Sequence, residues 1–85
     1  MSAKIKSLKT QAHALKPVVW LGQLGLTDAV MAEVEIALNA HELIKIKIPS
    51  EDREARKTAA ADIATQSKAE LIQLVGHVAT FYRKR

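Results

Sequence analysis

The stretch that decides the fold is VVWLGQLGLT, residues 18–27. Its first four residues are a continuous apolar run, which predicts a buried strand. From Thr27 onward the apolar residues recur at helical spacing, and Thr27 itself is placed to cap the helix. The sequence therefore predicts a strand, a tight turn and a helix in direct succession.

The predicted turn carries two glycines, Gly22 and Gly25, on either side of Gln23 and Leu24. Glycine permits positive φ and has no Cβ, so a ligand can approach the backbone closely. The N–H groups that follow belong to a helix N-terminus, which attracts phosphate. In a basic chain, this unit favours contact with a nucleic-acid backbone, but a tight turn without any ligand fits the four residues equally well. Because Asp28 already offsets the helix dipole, we expect the turn to position such a backbone without being its main anchor.

Size and composition limit the chain to one domain, residues 1–85. Apolar residues make up 48% of the sequence and charged residues 26%, which is typical of a folded globular protein. The absence of cysteine excludes disulfides and thiolate metal sites and fits a reducing compartment. No apolar stretch approaches the roughly 20 residues that span a bilayer. We expect a soluble, cytoplasmic monomer without cofactor, metal or small-molecule substrate.

Charge is strongly segregated along the chain. The net charge is +4, yet residues 1–20 contain four lysines and no acid, whereas residues 26–44 contain four acids and no lysine or arginine. Basic residues then return from Lys45 to Lys57 and at the C-terminus. This distribution predicts one basic face, suited to a polyanion, and one acidic face.

The remaining elements follow from apolar spacing and turn residues. A first helix is predicted over about residues 2–14, with Ile5, Leu8, Ala12 and Leu15 on its apolar stripe. In residues 43–48 the isoleucines alternate with lysines, which predicts a half-buried strand with a cationic outer face. Residues 50–52 start a third helix, and residues 71–75 and 78–82 form a hairpin around Gly76 and His77. The order is αβαβαββ, an α/β sandwich in which the first two strands are parallel if they are neighbours.

The aromatic and histidine side chains give few chemical signals. Trp20 and Tyr82 are possible stacking surfaces for bases; we expect Trp20 in the core, and either role fits Tyr82. His13, His41 and His77 fall in three different elements without metal-ligand spacing. No nucleophile–base–acid set is apparent, so the sequence predicts no enzyme activity.

Several ordered blocks resemble the CRM domain, the chloroplast RNA splicing and ribosome maturation module, in its single-domain bacterial YhbY-type form. The blocks are Leu15-Lys16-Pro17-Val18, Gly22-Gln23-x-Gly25-Leu26-Thr27, His41-Glu42-Leu43-Ile44-Lys45-Ile46-Lys47, Asp52-Arg53 and Phe81-Tyr82-Arg83. The resemblance implies a fold similar to the C-terminal domain of translation initiation factor three, with a four-stranded mixed sheet in order 1-2-4-3. It also implies association with precursors of the large ribosomal subunit, and no catalysis.

The resemblance and the charge pattern together predict an RNA-binding surface. We expect it to contain Gly22, Gln23, Leu24, Gly25, Lys6, Lys9, Lys16, Lys45, Lys47, Arg53 and Arg83. For Arg53 a local ion pair is equally plausible, and Arg83 fits either a phosphate contact or a frayed chain end. The family often has a cation after the glycine of the last hairpin, where this chain has His77, so the resemblance gives weak support for a phosphate contact there.

One alternative function, from a different class, is a protein-interaction module. In that hypothesis the acidic second helix, with Glu33 and Glu35, docks a basic ribosomal protein and the lysines only keep the protein soluble. The two hypotheses differ in which charges matter, so charge reversal on each set separates them.

Overall fold

The computed structural model describes residues 2–22 and 25–84, with side chains from Lys6 onward. Its elements are α1 (Ser2–Ala12), β1 (Val19–Trp20), α2 (Asp28–His41), β2 (Leu43–Lys47), α3 (Arg53–Ser67), β3 (Glu70–Val75) and β4 (Val78–Tyr82). The four strands form one sheet in the order β1-β2-β4-β3, in which β1 and β2 are parallel and the other pairs antiparallel. The predicted element order and strand order are confirmed. Over the described ranges, no helix has the length and apolar character needed to cross a bilayer.

Helices α2 and α3 cover one face of the sheet and enclose the main core. Ile44, Ile46 and Ile48 point to this face and are at most 2% exposed. Directly opposite on β4, Phe81 pairs with Ile44 and is fully buried. The predicted alternation of isoleucine and lysine along β2 is confirmed, because every second side chain of a strand points to the same face.

Helix α1 packs on the opposite face of the sheet. Leu8 and Ala12 are buried there against Leu43 and Ile72, with Tyr82 partly buried beside them. The helix thus covers the end of this face where Leu43 pairs with Tyr82. Tyr82 serves as part of this packing.

The predicted length of α1 is wrong at its C-terminal end. Regular helix stops at Ala12, and the chain continues as a tighter turn in which the His13 N–H donates to the Thr10 carbonyl. Leu15 therefore leaves the apolar stripe and is 38% exposed. The side chain of Ile5, the first residue predicted on that stripe, lies outside the described part.

Side-chain caps fix the start of both long helices. The Thr27 hydroxyl accepts from the Val30 N–H at 3.2 Å, which confirms the predicted cap of α2. At α3 the cap is Asp52, whose carboxylate accepts from the Glu54 N–H, whereas the Ser50 hydroxyl accepts from the Asp52 N–H. Helix α3 therefore begins at Arg53, directly after residues 50–52, which were predicted to start it.

A bulge in β3 changes which residues face each side of the sheet. Leu71 pairs with Phe81, and the next paired residue is Gln73, opposite Thr80. Ile72 is the extra residue and packs under α1. Beyond the bulge, Gln73 and Val75 share the face of α1, while Leu74 packs against the main core.

Candidate nucleic-acid interface

The two glycines of the strand–helix connection close a turn. The Gly25 N–H donates to the Gly22 carbonyl at 3.0 Å. Gly25 has φ +74°, a conformation that favours glycine because other residues would strain their Cβ. Gln23 and Leu24, both predicted to contact RNA, lie outside the described residues.

The space around both glycines is open. A Cβ added at either Gly22 or Gly25 would meet no atom of the described chain within 4 Å. Gly22 also has a φ outside the left-handed region, so neither its conformation nor its packing requires glycine. The bare backbone at Gly22 thus leaves room for a molecule from outside.

Helix α2 starts at Asp28, three residues beyond Gly25. The first N–H groups of a helix have no partner within the helix, and one of them, that of Val30, donates to the Thr27 hydroxyl. Asp28 is exposed in the first turn, where its carboxylate offsets the helix dipole. These contacts fit the expectation that the turn positions a backbone and that the charge for an anion comes from elsewhere.

Trp20 is not in the core, contrary to the prediction. Its side chain is 67% exposed, and Val18 is 51% exposed, whereas Val19 and Leu21 are buried. Burial alternates along this run because successive side chains of a strand point to opposite faces of the sheet. Val18 and Trp20 point to the face on which α1 packs, but they lie at the edge strand, beyond the part that α1 covers. A continuous apolar run predicts burial on both faces, and here only one face is closed.

A row of side chains crosses all four strands beside Trp20. Trp20 pairs with Lys47, Lys47 with Val78, and Val78 with Val75. Directly paired residues point to the same face, so these four side chains lie together, about 14 Å from end to end at normal strand spacing. The Lys47 ammonium lies over the indole ring, 5.8 Å from its centroid.

A second row lies between the first row and α1. Lys45 pairs with Thr80 and Thr80 with Gln73, while His13 from the end of α1 borders the same hollow. The Lys45 ammonium donates to the Leu15 carbonyl at 3.2 Å, which holds the lysine at the surface. We call the two rows the open face, formed by Trp20, Lys47, Val78, Val75, Lys45, Thr80 and Gln73. Trp20 and Val75 are its exposed members, Thr80 is buried, and the other four are half-buried.

The five lysines predicted to bind RNA lie in three places: two on the open face, two on α1 and one, Lys16, after α1. Lys45 and Lys47 lie on the open face, and the Leu21 N–H donates to the Lys47 carbonyl, which places the glycine turn directly after this face. Lys6 and Lys9 are exposed on α1, which packs on the same side of the sheet. Lys16 borders a groove between the end of α1 and Leu43.

Arg83 is neither a frayed end nor an outward-facing cation. Its guanidinium donates to both carboxylate oxygens of Glu35 at 2.9 and 3.0 Å and to the Ser67 carbonyl at 2.7 Å. It also donates to the Asn39 side chain at 3.0 Å. Four acceptors from α2 and α3 therefore use this side chain to tie the end of the chain to both helices, a role that sequence spacing cannot show.

Arg53 lies on a different side from the open face. It borders a groove with Arg56, Leu71 and Leu74, between α3 and β3. Since α3 packs on the face opposite α1, the structure does not bring Arg53 together with Lys45 and Lys47.

His77 is held in the hairpin. Its carbonyl accepts from the Ile48 N–H at 2.6 Å, and its Nε2 lies 3.7 Å from a carboxylate oxygen of Glu51. The ring thus faces an acidic side chain. Within the described ranges, no three side chains of metal-binding type are grouped.

Sequence reasoning missed the apolar part of the open face, Val75 and Val78. The available signal was the hairpin: a two-residue turn at Gly76-His77 makes Val75 and Val78 direct partners on one face. What was missing was the knowledge that α1 leaves this end of the face uncovered.

The chain is a small α/β domain whose sheet is covered by two helices on one face and by α1 over part of the other, where Lys45 and Lys47 lie. The sequence model of the CRS1 / YhbY (CRM) domain matches residues 1–83, and the chain belongs to this family. The resemblance inferred from its sequence blocks is thereby confirmed.

Relatives with established names are similar over nearly the whole chain. A Haemophilus influenzae protein named RNA-binding protein is 48% identical over 84 residues, a match covering 98% of this chain and 85% of that relative. A Pseudomonas aeruginosa protein named a probable RNA-binding protein is 43% identical over 79 residues, covering 93% and 76%. These names describe RNA binding in those proteins and no reaction.

A solved structure is similar in fold. The solution structure of a hypothetical protein from Staphylococcus aureus superimposes with a TM-score of 0.88, at 22% sequence identity. The match covers all of this chain and 88% of the other. It confirms the architecture.

Proposed function

We propose that this protein binds ribosomal RNA in precursors of the large ribosomal subunit and assists their assembly, acting as a cytoplasmic monomer. The observation that carries the proposal is Gly22: among the described residues nothing requires glycine at this position, the space around it is open, and it directly follows the cationic open face. The two relatives named as RNA-binding proteins support the ligand class. The large-subunit target rests on the family resemblance and not on the geometry.

The charges favour recognition of backbone and shape. Lysine ammonium groups attract phosphates as point charges and do not form the planar fork by which arginine reads base edges. Arg83, one of the predicted arginine contacts, is engaged inside the protein. Affinity should therefore depend strongly on salt and weakly on sequence.

The first experiment measures RNA affinity by fluorescence anisotropy against salt. If Lys6, Lys9, Lys16, Lys45 and Lys47 each neutralise one phosphate of a single strand, log K falls by about 3.5 per log unit of salt. The variant with both Lys6→Glu and Lys9→Glu should nearly lose binding and keep its fold, because both side chains are exposed.

The matched control reverses two exposed lysines outside the proposed surface, Lys68→Glu with Lys84→Glu, which changes the net charge equally. Near-wild-type binding by this control, with loss in the first variant, supports a localised surface. Equal affinities in both variants would reject the surface.

The target is tested in cells by crosslinking followed by sequencing of the attached RNA. Enrichment of large-subunit precursor sequences supports the proposal, and recovery that depends on Lys6 and Lys9 links it to the surface. Crosslinks spread over unrelated transcripts would contradict the assembly role while leaving RNA binding in place.

A further inference from the structure

We infer that the open face holds an unpaired base of the RNA, stacked on Trp20, beside the phosphates neutralised by Lys45 and Lys47. This inference rests on the proposed function and adds to it the part of the RNA that is recognised. In this inference Gly22 and the open face form one continuous site: the RNA backbone passes Gly22, and a base lies on the indole of Trp20.

Nothing in the described part of the chain explains why Trp20 is exposed. An indole that is 67% exposed forfeits most of the stabilisation that burying it would give, and Val75 at the other end of the same row is 64% exposed. Exposed apolar side chains that form a continuous patch mark binding sites more often than isolated ones do. In the row from Trp20 to Val75, these two exposed side chains are separated by Lys47 and the half-buried Val78, so the row combines apolar surface with one cation.

The indole of Trp20 is accessible to a base, because two thirds of the residue's surface is exposed. The Lys47 ammonium lies over the ring, 5.8 Å from its centroid. Trp20 lies on the edge strand β1, so in the described ranges a neighbouring strand pairs with it on one side, that of β2. A base could stack on the indole, while the ammonium of Lys47 contacts the ring by a cation–π interaction and fixes the orientation of the indole.

Charge separates RNA from other occupants. The side chains of the open face include Lys45 and Lys47, with His13 at its border, and no acid among the described residues of the two rows. A second copy docked face to face would set these lysines against their own equivalents, and like charges placed opposite each other are destabilising. A polyanion with flat apolar groups fits both features, and single-stranded RNA is such a molecule.

The glycine turn lies close enough to share the ligand. Only Leu21 separates Trp20 from Gly22, and Leu21 is buried toward the core. A strand whose sugar–phosphate chain passes Gly22 can therefore place a neighbouring base on Trp20 without crossing another element.

The test uses the fluorescence of Trp20, which is the only tryptophan of the chain. A short oligouridine and an abasic oligonucleotide of the same length are titrated into the wild-type protein. We expect quenching of Trp20 by oligouridine and much less by the abasic strand, since the two carry equal charge and differ only in their bases. Equal signals with both strands would overturn the inference, because charge alone would then account for the change.

Substitution at Trp20 gives the second measurement. Trp20→Leu should weaken oligouridine binding by about 5- to 150-fold, the range for loss of one base–aromatic stack, and Trp20→Phe should restore most of it. The matched control is Ile36→Ala, which removes an exposed apolar side chain of α2, on the other side of the sheet, and should leave affinity unchanged. Abasic-strand affinity should be similar for wild type and Trp20→Leu.

The outcomes keep this inference apart from the proposed function. If Trp20→Leu binds oligouridine like wild type while Lys6→Glu with Lys9→Glu does not, the stacking site is absent and the basic surface stands. If wild type binds no RNA at all, the proposed function itself is wrong. A mass that doubles with concentration, and returns to that of a monomer in Trp20→Leu, would identify a second copy as the occupant and overturn the inference.

Discussion

The two faces of the sheet use the same strands for different purposes. On the closed face, under α2 and α3, β2 contributes Ile44 and Ile46, and Ile48 follows directly after the strand; each is at most 2% exposed. On the other face the same strand contributes Lys45 and Lys47, which remain half-buried at the surface. One face therefore accounts for most of the buried apolar area, and the other is left partly uncovered.

The difference shows how a chain of this size can combine stability with a binding surface. Successive residues of a strand point to opposite faces of the sheet. The isoleucines can therefore pack in the core while the lysines of the same strand contact a ligand. The helix α1 covers only one end of the second face, around Leu43 and Tyr82. Beyond that end, Trp20 and Val75 are exposed and available to a ligand, whereas Thr80 between the strands is buried.

The largest expected effect is on the closed face. Phe81→Ala removes a fully buried ring and should lower the free energy of unfolding by about 3–5 kcal/mol, measured by urea denaturation. Trp20→Ala removes a larger ring from the open face and should cost less than about 1 kcal/mol, because that ring is exposed. Similar losses for the two variants would break the comparison between the faces.

The next effect concerns the C-terminal clamp. Arg83→Ala leaves Glu35 and the Ser67 carbonyl without their donor and should lower the free energy of unfolding by about 1.5–3 kcal/mol. Arg83→Lys keeps the charge but not the fork and should recover only part of this. RNA affinity, measured below the unfolding transition, should be unchanged. A large loss of affinity in a fully folded Arg83→Lys protein would return Arg83 to the RNA surface.

A smaller effect separates the two glycines of the turn. Gly25→Ala forces a Cβ into a positive-φ position and should destabilise the protein by about 1–2 kcal/mol. Gly22→Ala should cause no loss of stability, and up to about 1 kcal/mol of gain, because its φ and surroundings accept a methyl group. Only the RNA affinity should fall in Gly22→Ala. Full affinity in that variant, at unchanged stability, would show that no ligand approaches the turn closely.

The smallest effect is expected on the outer side of α2. Glu33 is exposed, so Glu33→Lys should change stability by no more than about 0.5 kcal/mol and should leave RNA affinity equal or slightly higher. Copurification of the variant with large-subunit precursors measures the alternative function. Loss of that association with Glu33→Lys, and its survival in Lys6→Glu with Lys9→Glu, would favour a protein-docking role for the acidic helix.

Local patterns in the sequence were sufficient for most of the fold. The isoleucine–lysine alternation of β2, the cap at Thr27 and the hairpin turn at Gly76 are properties of neighbouring residues, and all three are confirmed. The strand order 1-2-4-3 is not local; it came from the family resemblance and is also confirmed.

Features that depend on contacts between distant elements could not be predicted in this way. Trp20 was placed in the core because the run around it is continuous, and its exposure depends on how far α1 extends across the sheet. Arg83 finds Glu35 across 48 positions of sequence. RNA contact by the predicted lysines and glycines stays a prediction. The sequence could not show that Arg83 is bound to Glu35, that Arg53 lies away from Lys45 and Lys47, or that Trp20 is exposed, because each depends on the three-dimensional arrangement.

The bulge at Ile72 has a consequence for how such proteins can diversify. Pairing is in register on both sides of it, so the segment that seats α1 and the segment that ends in Val75 are not bound to a single alternating pattern. A substitution in one segment therefore need not alter the strand pairing or packing of the other. A lineage can therefore alter the chemistry of Gln73 and Val75 to suit a different ligand while keeping the helix seat it started with.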